Sequence, residues 1–231
     1  MTFRFTPLDF VALISLGALP VLAHGAVAVV DPFNDFLPTY TAGPANGDLD
    51  VIAAAGFYNA AGQTFTLSTI LADKIGQTPG ALYVWGIDRG LGTERFLAGT
   101  PSIGAGVFFD SVLVVRPNGT GFYNDFINRA MTNLDPANID IGSFTVTVAD
   151  LPVNLFAPDT GGFTAPNKYT WNLWPRVGLG QNNQISDFAP DARNLRFQVT
   201  AVPEPETWAM LAVGLTMTGL RLRKRRQGSI S

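Results

Sequence analysis

The chain contains no cysteine and only one histidine, His24, among its 231 residues. Without cysteine it can form no disulfide and offers no thiolate nucleophile, and a zinc site of the usual Cys/His type is excluded. Because His24 lies in an N-terminal segment that we expect to be removed, the mature chain would also lack Ser-His-Asp triads and His-ligated haem. These absences exclude the usual nucleophilic and metal-binding chemistry of Cys and His.

Charge is also scarce, since charged residues make up only 14% of the chain. Between residues 29 and 202 the only glutamate is Glu94, and the only lysines are Lys74 and Lys168. Glu and Lys favour exposed helix faces, whereas Asp favours turns, so this composition predicts a domain with little helix. The same region holds fifteen acidic and nine basic residues and no basic run, which argues against nucleic acid or anionic lipid as its partner.

The first 28 residues have the features of a secretory signal peptide. Arg4 provides a positive charge, and an apolar run at 10–23 follows it, interrupted by the helix-breaking Pro20. Ala26 and Ala28 then form an A-x-A site, which predicts cleavage after Ala28. The run is shorter than the ~20 apolar residues of a membrane span. A buried core helix or an uncleaved anchor is the alternative interpretation.

The C-terminal segment combines three parts in a fixed order. Pro203-Glu204-Pro205 comes first, and its two prolines favour an extended backbone that fits an enzyme groove. An apolar run at 208–220 follows, and at ~1.5 Å per helical residue it spans roughly 20 Å, less than the ~30 Å core of a bilayer. A basic cluster comes last and is expected to remain cytoplasmic by the positive-inside rule. The cluster consists of Arg221, Arg223, Lys224, Arg225 and Arg226.

This tail resembles the PEP-CTERM sorting signal of Gram-negative bacteria. The residues that carry the resemblance, besides the basic cluster, are Val202, Pro203, Glu204, Pro205 and Trp208. The resemblance implies an exported protein with an inner-membrane intermediate, cleaved near the Pro-Glu-Pro box by an exosortase-type membrane enzyme and delivered to the cell surface or extracellular space. It also implies an association with extracellular polysaccharide and biofilm formation. An uncleaved single-span anchor is the alternative interpretation.

These features divide the chain into four parts. We expect a signal peptide with an apolar helix at 1–28 and an extracytoplasmic domain at 29–201. A sorting signal with a short hydrophobic helix follows at 202–226, and a short tail at 227–231 ends the chain.

Apolar and polar residues alternate in several short segments of the central domain, and Gly, Pro, Asn and Asp separate these segments. The pattern is typical of an all-β domain, and a β-sandwich is expected, with a jelly roll or barrel as the alternative. Asn118-Gly119 predicts a hairpin turn. A long loop is expected at 178–191, and short helical turns at 124–131 and 150–156. The predicted strands cover 51–57, 63–71, 81–87, 107–116, 144–148, 169–177 and 195–200.

Four aspartates lie close together near the start of the central domain. Hard cations such as Ca²⁺ bind six to eight oxygens, largely from carboxylates and loop carbonyls, so this group is a candidate Ca²⁺ site. The alternative is that these residues only form turns beside Pro and Gly, as Asp commonly does. The four residues are Asp31, Asp35, Asp48 and Asp50.

Five aromatic residues form a second candidate group, because exposed Trp and Tyr rings can stack on sugars. Core packing is the favoured alternative, since a domain of this size needs large apolar side chains inside. Trp174, which precedes a proline, is the one we expect to be exposed. The other four are Tyr83, Trp85, Tyr169 and Trp171.

Carboxylates can hydrolyse glycosides without His or Cys, and Asp88, Glu94 and Asp110 are the acids nearest to predicted strand ends. Their spacing singles out no catalytic pair. The sequence therefore favours an exported, non-enzymatic surface or matrix protein with no cofactor other than Ca²⁺. A Ca²⁺-assisted or aromatic-mediated glycan-binding module is the first alternative, and a carboxylate-based glycoside hydrolase is the second.

Overall fold

A computed structural model describes residues 29–157 and 162–200. The predicted signal peptide, the Pro-Glu-Pro box and the basic cluster all lie outside the described residues. Within 29–157 and 162–200, no helix has the length and apolar character needed to cross a bilayer.

The described residues form an all-β domain, as the composition predicts. Its single α-helix, α1, is one turn long and covers Val153–Phe156, and the other helical pieces are 3₁₀ turns. The strands are β1 Val29–Val30, β2 Val51–Asn59, β3 Thr64–Leu71, β4 Ala81–Asp88, β5 Ser111–Val115, β6 Gly121–Asp125, β7 Ala130–Asn133, β8 Ile139–Ile141, β9 Thr145–Pro152, β10 Thr170–Val177, β11 Leu195–Arg196 and β12 Gln198–Thr200.

The strands form two six-stranded sheets. The first sheet has the order β1-β2-β3-β9-β8, and β12 also pairs with β2; the second sheet has the order β11-β10-β4-β5-β6-β7. Neighbouring strands are antiparallel except for β12, which runs parallel to β2. Long-range pairing between β3 and β9 therefore builds the first sheet, whereas the β4–β5–β6–β7 meander builds most of the second.

The largest buried cluster takes side chains from both sheets. In β3, Phe65 and Leu67 are buried while the threonines between and beside them are half-exposed, which is the period-two alternation of a strand with one face in the core. The second sheet contributes Trp85, Leu113 and Trp171 to the same cluster. The two sheets thus share one apolar core.

The second sheet is covered on its other face as well. Phe96, Phe109 and Phe188 from the connecting segments surround Trp174, and they form a second apolar cluster with side chains of β4 and β5. At Gly86 an added Cβ would lie 2.1 Å from the Trp174 ring, so glycine is needed for this close packing. Burial on both faces explains why β4 is a continuous apolar run rather than an alternating one.

The structure departs from the predicted strands in several places. The predicted strand at 195–200 is divided, because β11 joins the second sheet and β12 joins the first, with buried Phe197 between them. The helical turn predicted at 124–131 is wrong, since these residues form the β6–β7 hairpin. Its turn is closed by Asp125, whose Oδ1 accepts hydrogen bonds from the amides of Ile127 and Asn128. Strands β1, β6, β7 and β8 were not among the predicted strands.

Other local predictions are confirmed. Asn118-Gly119 turns the chain between β5 and β6, and Gly119 has a φ of 77°. The loop predicted at 178–191 contains no strand, only the 3₁₀ turn Asn182–Gln184. The helical turn predicted at 150–156 is confirmed for Val153–Phe156, whereas its first residues belong to β9.

Arg89 is the buried charged centre of the second sheet. Its Nε lies 2.6 Å from Asp110, its Nη2 lies 2.8 Å from Asp125, and its Nη1 donates to the carbonyl of Phe156. The guanidinium also stacks over the Phe163 ring at 3.9 Å. Burial alone would raise the pKa of Asp125, but hydrogen bonds from Arg89 and Asn128 outweigh it and hold that pKa well below its usual range. Arg89 therefore neutralises two buried carboxylates.

We expect Arg89→Met to destabilise the domain by about 3–5 kcal/mol, because it leaves Asp110 and Asp125 buried without a counter-charge. Urea denaturation measures this loss. The exposed Arg193 gives a matched control, and Arg193→Met should change the free energy of unfolding by no more than about 0.5 kcal/mol. Equal effects of the two substitutions would contradict the assigned role of Arg89.

Candidate metal centre

Three carboxylates converge at one corner of the domain. Asp31 directly follows β1, Asp35 lies one turn later, and Asp187 belongs to the loop after β10. One oxygen from each lies within 4.8 Å of the others. Asp31 and Asp187 are buried, whereas Asp35 is half-buried. We call Asp31, Asp35 and Asp187 the aspartate cluster.

The segment after β1 holds its two aspartates in place through backbone contacts. The amide of Asp31 donates to the carbonyl of Ile52, which continues the pairing of β1 with β2. Asn34 then reverses the chain with a φ of 63°, a conformation that asparagine tolerates, and its amide donates to Oδ2 of Asp50 at 2.8 Å. These bonds direct Asp31 and Asp35 towards the same point.

The loop after β10 also holds its aspartate, Asp187, in place through hydrogen bonds. Oδ2 of Asp187 accepts the amide of Val51 at 2.9 Å, and its Oδ1 accepts the amide of Phe188. The neighbouring Ser186 hydroxyl contacts the carbonyls of Leu49 and Pro175, at 2.8 and 2.9 Å. The loop is therefore attached to the start of β2, and Asp187 has a defined orientation.

Several oxygens at this corner are buried and have no partner. Oδ2 of Asp31, Oδ1 of Asp35 and Oδ1 of Asp50 accept no hydrogen bond from any described residue. The whole residues Asp31 and Asp50 are only 7% and 1% exposed. Among residues 29–157 and 162–200 the only ion pairs are those of Arg89, so no Lys or Arg neutralises the aspartate cluster. Buried oxygens without a donor are costly unless a ligand satisfies them.

The electrostatics of the site favour a positive charge. Burial, followed by repulsion from Asp187, Asp35 and Asp191, raises the pKa of Asp31. Burial also raises the pKa of Asp187, although hydrogen bonds from backbone amides oppose this, and burial is the main cause of the raised pKa of Asp35 and Asp50. The fully ionised cluster is therefore unfavourable until a proton or a metal cation enters.

The donor set suits a hard cation such as Ca²⁺. All the donors are carboxylate oxygens, which suit hard cations, and no Cys or His is available to favour zinc. Two oxygens on opposite sides of a Ca²⁺ ion are about 4.6–5.2 Å apart, since each Ca–O distance is 2.3–2.6 Å. The spacing within the aspartate cluster is compatible with this. Water and backbone carbonyls would complete the six to eight ligands.

The predicted metal ligands are brought together only in part. Asp31 and Asp35 lie in the aspartate cluster, and Asp50 adjoins it through its bond to Asn34. The prediction for Asp48 is wrong, because this residue is outside the cluster and both of its oxygens are occupied by Thr78. Within the 3₁₀ turn Gly47–Leu49, Asp48 serves to anchor the Thr78 loop rather than to offer free oxygens.

Asp187 was not identified from the sequence. It is far from Asp31 along the chain and lies in a polar loop where no charge pattern marks it. Asp191, in the same loop, adds negative charge that contributes to the raised pKa of Asp31 and Asp35. The one local indication is that Asp187 precedes the buried Phe188, which places an acidic side chain at the edge of an apolar layer.

The aromatic candidates form core rather than surface. All five are at most 1% exposed, and the expectation that Trp174 is exposed is wrong, because the segments that cover the second sheet enclose it. These five rings therefore offer no stacking surface for a sugar. They are Tyr83, Trp85, Tyr169, Trp171 and Trp174.

The three candidate catalytic acids have structural partners. Oδ1 of Asp88 accepts the amides of Gly90 and Gly92, and Glu94 accepts the amide of Gly106 at 2.6 Å. Asp110 is fully buried against Arg89. These contacts give each carboxylate a role in holding loops or balancing charge.

Comparison of the chain with known proteins found no matching family model, no matching curated protein and no matching solved structure.

We expect the metal-free protein to lose stability as the pH rises from 5.5 to 8. The folded-state pKa is raised from 3.8 to about 8 for Asp31 and about 7 for Asp187, so the native state binds more protons than the unfolded state in this window. Stability therefore falls as these protons leave. The lowered pKa of Asp125 affects the stability of the protein only at more acidic pH.

Thermal denaturation in the presence of a chelator measures this dependence, and Asp31→Asn should flatten it. A melting temperature of the chelated wild-type protein that stays constant or rises between pH 5.5 and 8 would contradict the assigned electrostatics.

Proposed function

We propose that this protein is an exported β-sandwich protein that binds a Ca²⁺ ion at the aspartate cluster. The observation that carries the proposal is the presence of buried carboxylate oxygens with neither a hydrogen-bond donor nor a cationic side chain among the described residues. The sandwich arrangement is supported by the two largely antiparallel sheets and the apolar core to which both contribute.

In this proposal the ion has a structural role. It connects the segment after β1 with the loop that follows β10. These two parts of the chain otherwise meet through a few backbone hydrogen bonds, such as the one from the amide of Leu37 to the carbonyl of Ser186. Extracellular Ca²⁺ modules bind with dissociation constants of about 10⁻⁴–10⁻³ M, so an exported protein would acquire its ion after leaving the cytoplasm. The domain itself is proposed to be non-enzymatic.

We further propose that the C-terminal segment directs the protein to the cell surface. Support comes from the order of the Pro-Glu-Pro box, apolar run and basic cluster, which resembles the PEP-CTERM signal. Strand β12 ends at Thr200, three residues before Pro203, so the box directly follows the last described strand. An exosortase-type enzyme is the proposed processing partner, and it would act while the protein is transiently held in the inner membrane. After cleavage, the protein is proposed to associate with extracellular polysaccharide.

Calorimetry with CaCl₂ tests the metal site. We expect one binding event, weakened at least about tenfold by Asp31→Asn or Asp35→Asn, because each substitution removes one charged ligand. Among the described residues no N–H group of another residue donates to either side chain, and the hydrogen-bonding neighbour of Asp31 is the carboxyl of Asp187, so the amides leave the surrounding backbone bonds intact. The exposed Asp140 supplies the control, and Asp140→Asn should bind Ca²⁺ as the wild type does.

The same variants should change stability in opposite directions with and without the ion. Ca²⁺ at about 100 times its dissociation constant should stabilise the wild type by about 2.7 kcal/mol. Asp31→Asn should lose this gain, yet its metal-free form should be more stable than the metal-free wild type, because one buried like charge is gone. A metal-free Asp31→Asn protein that is less stable than the wild type would contradict the proposal.

Replacing Pro203-Glu204-Pro205 by three alanines tests the sorting proposal. The variant should remain in the inner membrane with its C-terminal segment uncleaved, because an extended and rigid recognition segment is lost. Cell fractionation and intact mass measure this outcome, and Glu206→Ala, just outside the box, is the matched control. Normal cleavage and surface delivery of the triple variant would overturn the proposal.

A further inference from the structure

An open groove separates the edges of the two sheets on the side of the β6–β7 hairpin. It consists of two adjoining cavities of about 440 and about 300 Å³, which share Asn154 and Leu155. The second sheet contributes β6, β7 and the residues after β7, while the first sheet contributes the end of β9 and, beyond it, α1. None of the aspartate-cluster residues lines this groove.

The groove has a polar rim without net cationic character and a partly apolar floor. No Lys or Arg lines either cavity, and its two carboxylates are engaged: Asp125 binds Arg89, and Asp135 accepts the amide of Ala137. Leu134, Leu151 and Leu155 supply apolar surface. The uncharged polar side chains of the rim are Asn128, Thr132, Asn133, Asn138 and Asn154.

Tyr123 adds a buried hydroxyl that lacks a partner. Its side chain lines the larger cavity and packs against Phe156, and the residue is only 2% exposed. Among the described residues the hydroxyl has no partner in hydrogen-bonding geometry, although Ser111 and Arg89 lie near it. A ligand that reached the hydroxyl through the larger cavity would therefore add a hydrogen bond rather than replace one.

The backbone on both sides of the groove adopts costly conformations. Among the described residues four non-glycine residues have positive φ, and two of them border the groove: Arg129 and Asp150, each with a φ of 54°. Arg129 lies in the β6–β7 turn, and Asp150 lies in an irregularity of β9 next to Leu151. Bulges and strained residues of this kind commonly redirect side chains at binding sites.

We propose that this groove binds a neutral glycan chain. Amides and hydroxyls can donate to and accept from sugar hydroxyls, and the leucines offer apolar surface to the C–H faces of the rings. No Lys or Arg lines either cavity, and Arg129 lies only at the border of the groove, so a neutral ligand is favoured over one that bears phosphate or carboxylate. This inference is independent of the aspartate cluster, because it uses none of the cluster's residues.

The experiment uses the full-length protein in a non-glycosidic detergent, with calorimetry against short neutral α- and β-linked gluco-oligosaccharides. Oligogalacturonate and an extended uncharged peptide serve as the competing ligand classes. We expect at least one neutral oligosaccharide to bind, and we expect Asp31→Asn to bind it equally well. Failure of all neutral oligosaccharides, or tighter binding of either competing class, would overturn the inference.

Three variants locate the binding surface. Asn154→Trp fills the junction of the two cavities and should abolish binding, while Tyr123→Phe removes one hydroxyl and should weaken binding about tenfold. Met131, which is 69% exposed on β7 and lines neither cavity, is the control, and Met131→Ala should bind normally. The melting temperature of Tyr123→Phe, measured beside its binding, separates a loss of ligand contact from a loss of stability. Undiminished binding by Asn154→Trp would overturn the inference.

Discussion

Two groups of buried carboxylates occur in this domain, and they are neutralised differently. Asp110 and Asp125 surround Arg89, which binds both of them and the carbonyl of Phe156. The aspartate cluster has two buried members, Asp31 and Asp187, but no Arg or Lys among the described residues forms an ion pair with it. Because an uncompensated buried charge is strongly unfavourable, the second group requires a proton or a cation that the described residues do not provide. A metal cation is the simplest partner for a set made only of oxygens.

The position of the aspartate cluster explains what such an ion would stabilise. The segment after β1 has no regular secondary structure up to the 3₁₀ turn Gly47–Leu49, and it is held by scattered hydrogen bonds to β2 and to the loop that follows β10. That same loop contributes Ile185 and Phe188 to the outer apolar layer of the second sheet. An ion between these elements would link the start of the domain to the layer that covers its second sheet, so metal binding and packing are expected to be coupled.

The all-β class follows from composition and alternation, which act locally and are visible in segments such as Thr64–Leu71. Strands of weaker pattern, such as Ala130–Asn133, were missed because all four residues are exposed and only pairing with β6 makes them a strand. Two of the four predicted metal ligands, Asp31 and Asp35, lie in the cluster. Asp187 comes close to them only through tertiary folding across the whole domain. Asp48 is not part of the cluster, because the amide and the hydroxyl of Thr78 donate hydrogen bonds to its two carboxylate oxygens. Local patterns carry no information about such distant partners.

The central claim is that the aspartate cluster binds a cation. A crystal structure of the protein grown with Ca²⁺, with anomalous differences collected to identify the ion, tests it most directly. We expect a single anomalous peak at about 2.3–2.6 Å from oxygens of Asp31, Asp35 and Asp187. A map at neutral pH with no peak there, and with the carboxylates of Asp31 and Asp187 in direct hydrogen-bond contact through a shared proton, would contradict the claim.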